Sequence, residues 1–372
     1  MRVDLSYQNV IVIIKIFMMK KQIDVLLYIL VVIALSFTSC KKNNDVNTTT
    51  PAASTCKLTE IITTGRGELT MADPSTFTMT EKTEYNDKNV QTGYSLQSNA
   101  SYSAGKTSST LITRDFQYDA DGYLVKEIYQ AGSKDKTGKT YTSVTTQNYE
   151  YNKGLLAKTT LSSSYNDNGT VTNETGTFLY EYTADGKIAK YTNTNSGSSA
   201  TNFQLFEYSN GKLSKFSFTL SGTLVTPLIE INSQGLITKM VSPSFEYRYQ
   251  YDAEGNNIRQ ETWRNGTKDI TVFELDNKQN VSAKVIPLFK GQPDLSFYAG
   301  RENAYNFTHN MTTEKFLFAD ISGVEKSRGV NAITYQYNSN GLPSAGNRTS
   351  TDANGKIIEQ VAMSYTYSGC AP

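Results

Sequence analysis

The chain has 372 residues, with 36 Lys and Arg against 35 Asp and Glu, a formal net charge of +1. That balance excludes the basic excess of a nucleic-acid binder, and one His with three Cys excludes multi-histidine metal sites and most imidazole acid–base chemistry. The aromatic residues are uneven, at Tyr 25, Phe 16 and Trp 1.

At the N-terminus, Lys20 and Lys21 precede an apolar run from Val25 to Phe37. Thirteen residues span about 20 Å as a helix, short of the ~30 Å hydrocarbon layer, so residues 1–39 are read as a signal peptide. Met18 or Met19 is the expected start, which leaves the patch Val10–Phe17 outside. The stretch Phe37-Thr38-Ser39-Cys40 resembles a bacterial lipobox, which implies that the Cys40 thiol is acylated and anchors the chain to a membrane; ordinary secretory cleavage is the alternative. Lys41, where a retained inner-membrane lipoprotein carries Asp, implies the outer membrane within that resemblance. Removing residues 1–39 deletes four basic and two acidic side chains, leaving 32 and 33, a net charge of −1. Residues 40–55 are then a lipidated Cys and a polar, Thr/Asn-rich tether.

Residues 56–372 are read as one domain. Its cysteines, Cys56 and Cys370, stand at its two ends, and in an exported protein an even pair is expected to be bonded, two free thiols being the alternative. Residues 57–115 are Thr/Ser-rich with alternation, as in Thr76-Phe-Thr-Met-Thr-Glu81, which predicts strands with one apolar and one polar face.

From residue 116 a phrase recurs. It reads Phe116-Gln-Tyr-Asp-Ala-Asp-Gly122-Tyr-Leu, then Tyr149-Glu-Tyr-Asn-Lys-Gly154, Tyr180-Glu-Tyr-Thr-Ala-Asp-Gly186, Phe206-Glu-Tyr-Ser-Asn-Gly211 and Ile229-Glu-Ile-Asn-Ser-Gln-Gly235. Tyr249-Gln-Tyr-Asp-Ala-Glu-Gly255 and Tyr335-Gln-Tyr-Asn-Ser-Asn-Gly341 follow, with a degenerate Phe273-Glu-Leu-Asp276 between them and a final half-copy, Tyr365-Thr-Tyr367. As far as Phe273 the copies start 33, 31, 26, 23, 20 and 24 residues apart, room for two strands and two turns each. Aromatic-x-aromatic puts two rings on one face of a strand, the polar cluster with Gly makes the turn, and an aliphatic residue opens the return strand. The predicted fold is all-β: an extended antiparallel meander of repeated β-hairpins, open or curled into a half-shell, with almost no helix. The phrase resembles the YD repeat of the RHS family, and the chain resembles uncharacterised repeat lipoproteins of the Bacteroidetes type. That resemblance implies a coiled antiparallel sheet, here too short for a toxin-enclosing cage. Residues 276–330 are predicted to hold a long loop insertion, because Pro287 and Pro293 disfavour an ordinary strand.

Few residues offer chemistry. Asp119-Ala-Asp121-Gly122 lacks the ligand spacing of an EF-hand and reads as a turn. His309 reads as a solvated loop histidine. Glu150, Glu181, Glu207, Glu230 and Glu246 recur in the copies while Lys126, Lys158, Lys190, Lys215 and Lys239 recur on return strands, which predicts cross-strand ion pairs rather than a catalytic pair. Gly-rich phosphate loops are absent. Trp263, Tyr249 and Tyr251 are the candidates for stacking on a ligand, with packing on neighbouring strands as the alternative for Trp263. The sequence thus predicts a non-catalytic outer-membrane or cell-surface lipoprotein, binding or structural, with no catalytic residue, metal or cofactor and with a polysaccharide or an extended protein as ligand. A shell fragment around a partner polypeptide is the first alternative and a carbohydrate-active enzyme the second.

Overall fold

A computed structural model of the chain describes residues 56–370 apart from 68–74, 89, 103–104, 196–201, 221–222, 243–244, 265, 281–306 and 321–322. The signal peptide, Cys40 and the tether fall outside the described residues. The described residues form a single 21-stranded sheet with no α-helix. Its first strands are β1 (Lys57–Gly67), β2 (Ser75–Tyr85), β3 (Gln91–Ser101), β4 (Thr107–Tyr118), β5 (Leu124–Lys134), β6 (Thr140–Asn152) and β7 (Leu155–Asp167). They continue as β8 (Thr170–Tyr182), β9 (Ile188–Asn195), β10 (Asn202–Ser209), β11 (Lys212–Leu220), β12 (Thr223–Val225), β13 (Leu228–Ile231) and β14 (Ile237–Ser242). The last are β15 (Phe245–Tyr251), β16 (Asn257–Arg264), β17 (Thr267–Gln279), β18 (His309–Ala319), β19 (Glu325–Tyr337), β20 (Pro343–Asp352) and β21 (Ile357–Ser368).

Each phrase is the end of one strand, a turn and the start of the next. In the β4–β5 copy the Asp119 carboxylate accepts the backbone N–H groups of Asp121 (3.0 Å) and Tyr123 (2.8 Å), and Gly122 takes φ +84° to complete the reversal. Only a residue tolerant of the left-handed region closes that turn without strain. The shorter copies use a two-residue turn instead, as at Lys153-Gly154, with φ of 50° and 80°, the hairpin type whose twist matches the strands. The aliphatic residue after the turn is sealed: Leu124 and Leu156 are 0% exposed.

The tyrosines do more than pack. At every phrase turn a bulge shifts the register beside the second aromatic residue, or beside Ile231 and Leu275 in the copies without one, as between Gln117 and Tyr118, where Tyr118 meets Leu124. The next ladder then begins two residues later, at Lys126 opposite Asn148, which leaves the Leu124 carbonyl outside it. The second tyrosine of the following copy fills that gap: the Tyr151 hydroxyl donates to Leu124 O at 2.8 Å. The same bond runs from Tyr118 to Gln91 O (2.6 Å), Tyr182 to Leu156 O (2.7 Å), Tyr208 to Ile188 O (2.8 Å), Tyr251 to Ile237 O (2.8 Å) and Tyr367 to Pro343 O (2.7 Å). A buried carbonyl without a partner costs about 1–3 kcal/mol, so a Tyr at this place relieves the bulge before it and accounts for part of the tyrosine excess.

Two copies hide from the phrase. Thr83-Glu84-Tyr85-Asn86 has Thr for the first aromatic residue, yet Asn86 Oδ1 caps the turn by accepting Lys88 N and Val90 N, and the Tyr85 hydroxyl reaches Leu58 O at 3.3 Å. The repeat therefore begins before residue 116. The other copy is split between the chain ends. Strands β1 and β21 pair, with Tyr367 opposite Leu58 and a bulge before Glu60, the register of Tyr118 and Leu124. The Cys56–Cys370 disulfide, with Cα atoms 4.2 Å apart, stands where the other copies have a turn.

The sheet curls without closing into a barrel. Its ladders run from β13 through β21 and β1 to β12, and β12 and β13, joined by Thr226-Pro227, share none. The sequence reason is local: Pro227, which stands between them, has no N–H to give to a ladder. Side chains bridge the seam, with Leu213 and Ile229 packed together and Lys212 Nζ donating to Ser233 O at 3.2 Å.

Of the range 276–330 where an insertion is expected, residues 281–306 and 321–322 lie outside the described residues. Strand β17 continues to Gln279, β18 starts at His309 and β19 covers 325–330, so the described part of that range is mostly strand. Pro287 and Pro293 lie outside the described residues.

Candidate functional site

Alternation divides the sheet into a tyrosine face and an ion-pair face. On the ion-pair face the repeated carboxylates meet the repeated lysines across the strands: Glu150–Lys158 at 2.9 Å, Glu181–Lys190 at 2.9 Å, Glu207–Lys215 at 2.7 Å and Glu230–Lys239 at 3.0 Å. Glu274 and Lys315 form a further pair. Two members depart from the expected pattern. Glu246 takes Arg248 at 2.5 Å, and Lys126 lies opposite Gln117 and Asn148, so its register offers no carboxylate.

On the tyrosine face the rings form clusters along the strands. Tyr94, Phe116, Leu124, Tyr149 and Leu156 make one, and Ile237, Met240 and Tyr249 another. Charge is buried among them. Arg114 and Glu127 are each 5% exposed, with Arg114 Nη1 3.5 Å from Glu127 Oε1. The Tyr149 hydroxyl donates to Glu127 Oε2 at 2.9 Å, and the Tyr94 hydroxyl donates to Glu81 Oε2 at the same distance. Burial pushes the Glu127 carboxyl above its ordinary range, with the Arg114 charge and the Tyr149 bond pulling the other way. Burial likewise raises Glu81. The phrase search passed over these groups, although Arg114 has the parity of Phe116 and Tyr118 and so belongs on their face. The Glu127 and Glu81 carboxylates are thus each committed to a tyrosine hydroxyl, while the buried Glu314 accepts from Asn331 Nδ2 at 2.8 Å.

The three stacking candidates are not brought together. Tyr249, opposite Gln260, and Tyr251 lie on the tyrosine face, while Trp263, opposite Glu246, lies on the other. Tyr249 is 5% exposed, which closes its ring face to a ligand, and the Tyr251 hydroxyl is spent on Ile237 O. Trp263 is half-buried, with the Arg248 guanidinium 5.5 Å and the Lys268 ammonium 5.1 Å from its ring, so its π surface already serves cations of the chain. Asp119 and Asp121 form the turn described above.

His309 is not a solvated loop residue. It opens β18, where Nε2 lies 2.6 Å from Glu254 Oε2 and Nδ1 lies 3.1 Å from Lys278 O. Burial pulls its pKa down, but the Lys278 carbonyl and the Glu254 carboxylate outweigh that and raise it above the ordinary value. Beside it Thr308 N donates to Asn256 Oδ1 at 2.7 Å, pinning the start of β18 to the β15–β16 turn. A shallow groove of about 500 Å³ beside β1, β20 and β21 is lined by Thr64, Gly65, Asn347, Arg348, Thr349 and Gln360; its charged group, Arg348, is bonded to Glu359 at 2.5 Å. Among the described residues no three His, Cys, Asp or Glu side chains are grouped to hold a metal ion.

Fold and surfaces together define a tandem β-hairpin repeat protein, an antiparallel meander clasped by a disulfide. No family model matches the chain, and no curated protein does. Among solved structures, a porin-like protein from Bacteroides uniformis is 16% identical over 85% of this chain and 98% of its own, with a TM-score of 0.30. A porin-like protein from Bacteroides vulgatus is 11% identical over 83% and 98%, with a TM-score of 0.28. The TcdB2-TccC3-TEV structure is 9% identical over 76% of this chain and 17% of its own, with a TM-score of 0.31. Likeness this loose carries no functional argument.

Proposed function

We propose that this chain is a non-catalytic lipoprotein of the cell envelope, anchored through Cys40 to the outer membrane, whose RHS/YD-like repeat sheet stands outside the bilayer as a rigid binding or structural platform. The observation that carries it is the polarity of both sheet faces. A strand that crosses a membrane needs an outward apolar row about 25 Å tall. The ion-pair face bears Lys–Glu pairs in copy after copy, and across β2 to β7 it carries rows such as Thr80, Gln97, Leu111, Gly132, Thr142 and Asn166. The tyrosine face buries Arg114, Glu127 and Glu314. The described residues show no such row on either face, and the lipobox-like Phe37-Thr38-Ser39-Cys40 offers another hold on the membrane. Non-catalytic work is supported by the commitment of the repeated carboxylates to lysines or, at Glu246, an arginine, of Glu81 and Glu127 to tyrosines and of Glu314 to Asn331.

The test is metabolic labelling with a palmitate analogue followed by envelope fractionation. The parent chain is expected to incorporate label and sediment with outer membranes; Cys40→Ser is expected to do neither. Unlabelled parent chain, or sedimentation of the variant with membranes, contradicts the anchor. The return of β21 onto β1 favours one further reading, a shell fragment that presents a partner polypeptide.

A further inference from the structure

The tyrosine face changes character toward the turns that lack the phrase. At the β6–β7–β8 corner Tyr141 lies opposite Asp167, Tyr165 lies between Ser143 and Thr172, and Glu174 lies opposite Ser163, all on that face. Directly opposed side chains are about 5 Å apart and diagonal ones about 7–8 Å, so Tyr165 has Tyr141 on one diagonal and Glu174 on another. Both rings are half-buried, while Asp167 and residues 170–175, Glu174 among them, are exposed. Neither Asp167 nor Glu174 has a cationic partner among the described residues, whereas the carboxylates near the phrase turns have theirs.

The protein shows elsewhere what such a corner holds. On the same face and at the same end of the sheet, the Arg328 guanidinium lies 4.6 Å over the Phe318 ring and 2.8 Å from Asp269 on the neighbouring strand. Aromatic ring, cross-strand carboxylate and guanidinium make a complete unit there. The β6–β8 corner repeats the ring and the carboxylate twice over, without the cation.

We propose that the Tyr141, Tyr165, Asp167 and Glu174 corner is a docking site for an arginine-bearing peptide segment of another protein. A guanidinium is planar, stacks on a phenol ring and forks to a carboxylate, which an ammonium does less well. Two rings and two carboxylates accommodate two such side chains, which suits an extended segment rather than a free amino acid. The mature net charge of −1 leaves no general attraction for cations, so any binding is a property of this corner. The proposal rests on the binding half of the function above and not on the lipid anchor.

The experiment titrates the lipidated full chain, in a zwitterionic detergent at about 0.15 M salt, with a fluorescent peptide of alternating Gly and Arg. Saturable binding is expected, weakened at least about tenfold by Asp167→Asn with Glu174→Gln and by Tyr165→Ala, and unchanged by Glu150→Gln with Glu207→Gln. The Cys40→Ser chain is expected to bind as the parent does, which separates this result from the fate of the anchor. Absence of binding, equal binding by the corner variants, or equal weakening by the Glu150/Glu207 variant overturns the proposal. So does capture of a neutral β-glucan oligosaccharide in a Tyr165-dependent manner, which would assign the corner to sugar.

Discussion

The two ends of the sheet are built from the same strands but obey different rules. At the end where the phrases turn, most copies contribute a tight turn, a sealed aliphatic residue and a tyrosine hydroxyl bonded to the neighbouring copy. At the other end the strands run past their neighbours' cover: Thr170 to Thr175 of β8 and Glu325 to Arg328 of β19 are exposed on both faces. The first end is held by groups that recur, and the second by ladder hydrogen bonds with single contacts such as Arg328 with Asp269. Structural burden thus falls on the phrase end, and the opposite end is free to carry recognition.

Breaking the disulfide strikes the phrase end hardest. It closes a sequence separation of 314 residues, for which loop entropy gives a stabilisation of about 5 kcal/mol. Denaturant titrations of oxidised and reduced protein are expected to differ by roughly that amount, with hydrogen exchange of β1 and β21 accelerating before that of β6 to β8. Removing a sealed aliphatic residue comes next. Leu156→Ala is expected to cost about 3 kcal/mol by cavity formation, while Val171→Ala, at an exposed site on β8, is expected to change stability by less than ~0.5 kcal/mol.

His309 sharpens the comparison through pH. Its folded pKa is raised above the ordinary 6.5, so the bond to Glu254 contributes fully below that value and its contribution fades as pH rises through the folded pKa. Thermal melts are expected to fall slightly as pH rises past neutrality, and the slope is expected to shrink in Glu254→Gln, where the Lys278 carbonyl contact remains. Smallest is the ion-pair face. Glu207→Gln, which unpairs the exposed Lys215, is expected to cost only a few tenths of a kcal/mol.

Much of this was legible in the residues. Aromatic-x-aromatic with Asp, Asn or Gly two to four positions on marks a hairpin because period-two alternation and turn chemistry are local. Cys56 and Cys370 were legible as a pair from export and parity of count. What escaped depends on neighbours that sequence does not order. The phrase shows that Tyr151 shares a face with Tyr149, but that its hydroxyl meets Leu124 O follows only from the bulge. The copy at Thr83-Glu84-Tyr85 escaped because the second aromatic residue, and not the first, is the one that bonds. Trp263, Tyr249 and Tyr251 each read as candidates for stacking on a ligand, yet the strand register puts Trp263 on the face opposite the two tyrosines.

The central claim is that, wherever a copy carries a second tyrosine, its hydroxyl bonds the copy before it. Denaturation of Tyr118→Phe, Tyr151→Phe, Tyr182→Phe and Tyr208→Phe against Tyr165→Phe, a tyrosine on the same face at the other end, tests it most directly. Each of the first four is expected to lose about 1–2 kcal/mol, the cost of a buried carbonyl left without its donor, and Tyr165→Phe less than ~0.5 kcal/mol. Equal losses at all five positions, or none at the four, would contradict it.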